Sequence, residues 1–177
     1  MSAQVIFIAG SPSPKSRSSF VLHRVWAELA SAGIPTSTFL LRDFEPADVL
    51  LGKPEAKTVI PLIEAAKSAS GIVLATPVYK GTYAGALKAV VDLIPPDSLV
   101  GKPALGIATT RLEAHAGEVD RAYRALFAFF RAKAHPSLVA LDSEVTADEQ
   151  GGSLAPAAEE RVVAAARALR DALTAVA

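Results

Sequence analysis

The chain has 177 residues, 51% of them hydrophobic and 20% charged, with 18 basic and 18 acidic side chains. That length suits one domain (1–177) with a sizeable core, and the balanced charge, without a basic block, excludes a nucleic-acid partner. With no cysteine, disulfides, thiolate catalysis and cysteine metal sites are excluded as well. The first apolar run is too short for a secretory signal, and nothing approaches the roughly 20 apolar residues that span a bilayer. A cytoplasmic protein without membrane contact is therefore expected.

The predicted elements alternate. Apolar runs at Val5–Ala9, Ser37–Leu41, Ile72–Thr76, Ala104–Thr109 and Ser137–Leu141 read as strands. Several are apolar at successive positions, as in parallel strands buried on both faces. A helix beginning near Ser18 carries Leu22, Val25, Trp26 and Leu29 on one stripe, and the segment Pro54–Ser68 reads as a second helix. The same spacing recurs at Leu87, Val90, Val91 and Ile94, and again at Tyr123, Leu126, Phe127 and Phe130. Gln150–Ser153 reads as a surface loop, followed by a last helix from Pro156 to Val176 with Val162, Ala166, Leu169 and Leu173 on its buried stripe.

This (βα)₅ pattern predicts an α/β fold: a flavodoxin-like, doubly wound, five-stranded parallel sheet of order 2-1-3-4-5 with helices on both faces. That order opens a crevice between the C-terminal ends of strands 1 and 3. The first strand empties into Gly10-Ser11-Pro12-Ser13-Pro14-Lys15-Ser16-Arg17-Ser18-Ser19. Helix-start N–H groups, hydroxyls and a guanidinium gathered there make a phosphate seat. The third strand empties into Thr76-Pro77-Val78-Tyr79-Lys80-Gly81, where Pro77 is expected to end the strand and Tyr79 offers a flat face with a polar tip. Gly81 and Gly85 permit close backbone approach. One loop suits a phosphate and the other a flat ring, and a flavin mononucleotide has both.

These loops, with Gly85-Ala86-Leu87-Lys88, Asp92-Leu93-Ile94-Pro95 and Gly101-Lys102-Pro103, resemble the NAD(P)H-dependent FMN reductases, above all the reductase components of two-component alkanesulfonate monooxygenase systems. The resemblance runs from Val5 to about Val145. It implies FMN and NAD(P)H as cofactors, with Ser11, Ser16, Arg17, Ser18 and Ser19 on the FMN phosphate. It further implies Pro77, Val78, Tyr79, Lys80 and Gly81 along the isoalloxazine and ribityl chain, and Thr109, Thr110 and Arg111 on the other side of the ring. Such reductases take hydride from a nicotinamide onto the flavin and release reduced FMN to a flavin-dependent monooxygenase. The cofactor carries the chemistry, so no general acid, base or metal ligand is assigned.

Two departures stand out. Thr110-Arg111 replaces the Gly pair usual in that family, and Arg121 follows Val119-Asp120 where the alkanesulfonate reductases insert a Tyr in a π-bulge. His23 and His135 read as surface or boundary residues and His115 as a polar contact at a helix start. Phe129 falls off the apolar stripe of its helix, which points to burial against another subunit in a homodimer or homotetramer. Two alternatives stay open: an FMN-retaining quinone, azo or oxyanion reductase, and a non-enzymatic flavodoxin-like electron carrier. The choice between NADH and NADPH is open too.

Overall fold

Strand β1 (Val5–Ala9) is buried at every position, and its alternation divides the core into two layers. Ile6 and Ile8 join one apolar cluster with Leu62, Leu87 and Tyr123, while Val5 and Phe7 join a second with Val25, Leu29 and Leu169. Burying each such side chain stabilises the fold by about 1.5–3 kcal/mol relative to exposure. The computed structural model describes residues 4–148 and 151–175.

Along the chain, β1 leads into α1 (Arg17–Ser31), β2 (Thr36–Leu40), α2 (Pro46–Leu50), α3 (Ile60–Ser68) and β3 (Gly71–Tyr79). A short β4 (Thr82–Tyr83) precedes α4 (Gly85–Val91), β5 (Pro103–Thr110) and α5 (His115–Phe129). Then come β6 (Lys133–Ala134), β7 (Leu138–Leu141), β8 (Val145–Ala147), β9 (Gly152–Leu154) and α6 (Pro156–Thr174). Helices α1 and α6 cover one face of the sheet, and α3, α4 and α5 the other. The doubly wound α/β class is as the alternation predicts.

The parallel strands lie in the order β2-β1-β3-β5-β6, with β7 also on β5. The central order is the expected one, but the sheet has seven strands rather than five. The fifth position is split because Pro136, which has no N–H, interrupts the ladder between β6 and β7. The seventh strand, β4, folds back antiparallel on β3.

Pro77 does not end β3, which runs on to Tyr79. Alternation points Pro77 to the same side as Ala75, whose carbonyl accepts from Gly10 N (2.7 Å) where β1 has just ended. The missing N–H thus falls where no strand remains to receive it.

Other boundaries also shift. Only residues 60–68 of the 54–68 segment are helical, and α2 is an extra short helix. Ile94 is buried, yet it lies in the turn beyond α4. Gly152 and Ser153 belong to β9 rather than a loop, because Val145 and Leu154 pair and pack against α1. Gln150 and Val176 lie outside the described residues.

Candidate functional site at the ends of β1, β3 and β5

Register places three loops side by side. Ala9 pairs with Ala75, and Pro77 with Thr109, so the loops after β1, β3 and β5 leave the sheet at one end.

The first loop ends in the N-cap of α1. The Ser16 hydroxyl accepts from Ser19 N (3.2 Å) and lies 3.0 Å from the Ser18 hydroxyl. Both serines are buried, and Ser11 and Ser19 are half-buried beside them. The Ser11 and Ser13 hydroxyls accept from Ser13 N and Lys15 N, shaping the turn from within. Among the described residues, the N–H groups of Arg17 and Ser18 have no acceptor, as the first turn of a helix leaves them. Buried hydroxyls beside free amides at a helix start fit the phosphate of FMN.

Arg17 sits differently from the simple seat drawn from sequence. Its Nε donates to the Val145 carbonyl (3.0 Å), and its Nη1 lies 3.8 Å from Asp142. The guanidinium therefore ties the loop to the start of β8. Sequence reading missed both partners, which are more than 120 residues away along the chain.

The loop after β3 is a tight hairpin. Tyr79 pairs with Thr82, and Lys80 and Gly81 take positive φ of 55° and 84° at the tip. Thr76, fully buried, accepts from Ala84 N (2.8 Å) and so clamps the hairpin's far end to β3. Tyr79 is 53% exposed, Pro77 and Val78 are half-buried, and Lys80 is exposed. Gly81 is required twice over, by its φ and because a side chain there meets Glu118 of α5. Gly85 faces open space, so its expected close approach is not used within the chain.

On the third loop, Thr109 and Thr110 are buried and Arg111 is exposed. The Thr110 hydroxyl lies 3.2 Å from both Leu112 N and Leu112 O, and 3.5 Å from Nδ1 of His115. That contact turns the chain from β5 into α5. The expected site residues thus share one end of the sheet.

A separate cleft of about 710 Å³ lies behind Ser16 and Ser19, bounded by Phe20, His23 and the β8–β9 ribbon. Its Arg24 is engaged by Glu159, which raises the guanidinium pKa through their hydrogen bond. Helix α5 carries Arg121 and Tyr123 in regular α-helix from His115 to Phe129, with no π turn.

This geometry, three loops around the switch point of a flavodoxin-like sheet, defines a mononucleotide-binding α/β protein. The family described as NADPH-dependent FMN reductase matches residues 3–146, and the chain belongs to it. It is an oxidoreductase, an NAD(P)H-dependent FMN reductase. An FMN reductase (NADPH) of Pseudomonas putida is 34% identical over 161 residues, covering 89% of this chain and 82% of that protein. One of Escherichia coli is 35% identical over 130 residues, covering 73% and 68%. Among solved structures, the apo form of the NADH:FMN oxidoreductase EMOB is similar at a TM-score of 0.85 and 25% identity, covering 96% of this chain and 89% of that one.

Proposed function

We propose that FMN sits across this crevice, its phosphate on the turn formed by Ser11, Ser16, Arg17, Ser18 and Ser19. The ring and ribityl chain then lie along Pro77 to Gly81, with Thr109, Thr110 and Arg111 opposite. The observation that carries this reading is the pair of buried hydroxyls, Ser16 and Ser18, 3.0 Å apart beside free amides at the start of α1. When bound, FMN supplies the hydride acceptor, and the protein supplies placement and electrostatics. The exposed Tyr79 leaves the hairpin side open for a nicotinamide to approach.

We further infer that reduced FMN is handed to a flavin-dependent monooxygenase that releases sulfur from sulfonates. The resemblance of the two loops to alkanesulfonate reductase components supports this. Regular α5, with Arg121 in place of the inserted Tyr, means that any release device differs from theirs. The experiment is to purify the protein, record its spectrum, titrate FMN and follow NAD(P)H oxidation. Colourless protein whose turnover needs added FMN supports release. A tightly held yellow flavin with ping-pong reduction of quinones supports the flavin-retaining alternative instead. Absence of turnover leaves an electron carrier.

We also propose self-association through the α4–α5 face. Phe129, 66% exposed, stands at the rim of an apolar groove of about 420 Å³ lined by Tyr83, Val91 and Leu126. A two-fold axis would let each copy's Phe129 meet the groove of the other. Sedimentation of Phe129→Glu tests this, with dissociation to monomer expected and an unchanged sedimentation coefficient overturning it.

A further inference from the structure

Most cations of this chain are committed. Arg24, Lys88, Arg124 and Arg161 are held by carboxylates, and Lys102 by the last carbonyls of α3. Arg17 is tied to Asp142 and Val145. At the crevice, Arg111 and Lys80 differ: each is exposed, and neither has an ion-pair or hydrogen-bond partner among the described residues.

Their placement follows from register. The last rung between β3 and β5 is Pro77–Thr109. Tyr79 ends β3 and Arg111 is the first residue after β5, each two residues beyond that rung, so both leave the sheet at the same end. Lys80 is the next residue on one side, at the hairpin tip. Two acids lie near them without an ion pair to either among the described residues: Glu113 is exposed, and Glu118 holds a carboxylate oxygen against Gly81 at the hairpin tip. Lys80 holds a left-handed backbone (φ 55°) that most residues avoid, so the tip is kept at the expense of local strain.

Two free cations at the mouth of a crevice attract an anion. The phosphate of FMN already has the hydroxyls and amides of the α1 turn. The other substrate of the reaction brings further phosphate groups: a pyrophosphate in both dinucleotides and a 2′-phosphate in NADPH alone. We propose that Arg111, with Lys80 at the tip of the hairpin that leaves the same end of the sheet, seats the phosphate groups of the incoming nicotinamide dinucleotide. This rests on the reading of the crevice as the flavin site. It also gives a physical use to the Arg that stands where the resembled reductases carry glycine.

The test is calorimetric titration of the FMN-loaded protein with NADP⁺ and NAD⁺, which bind without turnover, on the parent, Arg111→Gln, Arg111→Lys and Arg167→Gln. Arg167 is an exposed cation of α6 on the far helix. Loss of a charge-assisted phosphate contact is expected to weaken dinucleotide binding about tenfold in Arg111→Gln. Arg111→Lys retains most of the affinity, and Arg167→Gln matches the parent. Weakening of both dinucleotides assigns the pyrophosphate, and weakening of NADP⁺ alone assigns the 2′-phosphate; either supports the proposal. Parental affinity for both in Arg111→Gln overturns it. So does an equal fall in FMN affinity, measured separately on the flavin-free protein, because the place of Arg111 opposite the flavin ring would then account for the whole effect. Failure of the crevice reading is seen apart from this, as FMN affinity unmoved by changes at Ser16 and Arg17.

Discussion

Tyr123 of α5 occupies the space that Gly106 of β5 leaves open. A Cβ on Gly106 would stand 2.4 Å from the Tyr123 ring. The phenol passes over the strand, and its Oη lies 2.9 Å from the Ile107 carbonyl and 3.2 Å from the Leu74 carbonyl. One buried hydroxyl thus spans β5 and β3, a few residues below Thr109 and Pro77. Burial pushes the Tyr123 phenol well above its ordinary pKa, with the nearby Tyr83 adding to the effect, so it remains a donor.

Gly106→Ala is therefore expected to destabilise the protein by about 1–3 kcal/mol through overpacking. Tyr123→Phe, which keeps the ring and loses only the bridge, costs about 1 kcal/mol. Chemical denaturation measures both. Tolerance of Ala at position 106 with an unchanged midpoint would mean that α5 is free to shift away.

The serine turn gives the second prediction. Ser16→Ala removes the N-cap of α1, at a cost of about 1 kcal/mol in stability, and also strips a hydroxyl from the proposed phosphate seat. Arg17→Ala loses its tie to Val145 and Asp142 together with its charge. FMN affinity should fall about tenfold or more in Arg17→Ala, in line with a charge-assisted contact of about 1.5–3 kcal/mol. Fluorescence titration of FMN reads it, and parental affinity in both variants would remove the seat from this turn.

Legibility in the sequence followed burial. Strand β1 is apolar throughout, and β3 and β5 carry long apolar runs, because both faces are covered, and their order follows from βαβ handedness. The two loops at the switch point were legible for the same reason. The partners of Arg17 were not, because Val145 and Asp142 are brought to α1 only by the chain returning after β7. The β8–β9 ribbon was hidden by its Gly-Gly-Ser composition, since what pairs it is Val145 against Leu154. Pro77 misled because a proline ends a strand only where its N–H would have been needed, and β1 stops two residues earlier in the register, at Ala9–Ala75.

The hairpin tip sets stability against binding. Lys80 takes φ 55° and Gly81 φ 84°. Lys80→Gly relieves a left-handed residue and should stabilise the fold by about 1 kcal/mol, while weakening dinucleotide binding. Gly81→Val moves the other way, forcing a branched side chain into left-handed backbone and toward Glu118. Thermal midpoints of the two variants should lie on opposite sides of the parent. A shared direction would mean that the tip is not held at these angles in solution.

Acid should loosen the segment that leads into β8. Glu144 accepts from Arg161 (2.7 Å) and from Leu141 N (2.8 Å). The Arg161 hydrogen bond, helped by the Leu141 amide and opposed by burial, holds its carboxyl below the ordinary value. A carboxylate with a depressed folded pKa contributes stability that is present above its unfolded pKa, near pH 4.3, and is lost as pH falls through the folded one. Arg161 is 42% exposed, so solvent screening limits the contribution to about 1 kcal/mol or less. Glu144→Gln should thus be slightly less stable than the parent at pH 7 and equal to it at about pH 3, which denaturation at both pH values measures. The neighbouring Val145 carbonyl holds Arg17, so in the parent protonation of Glu144 also slackens the tie behind the phosphate turn. FMN affinity should then fall more steeply in acid for the parent than for Glu144→Gln. Parallel pH profiles would show that the β8 segment and the turn are independent.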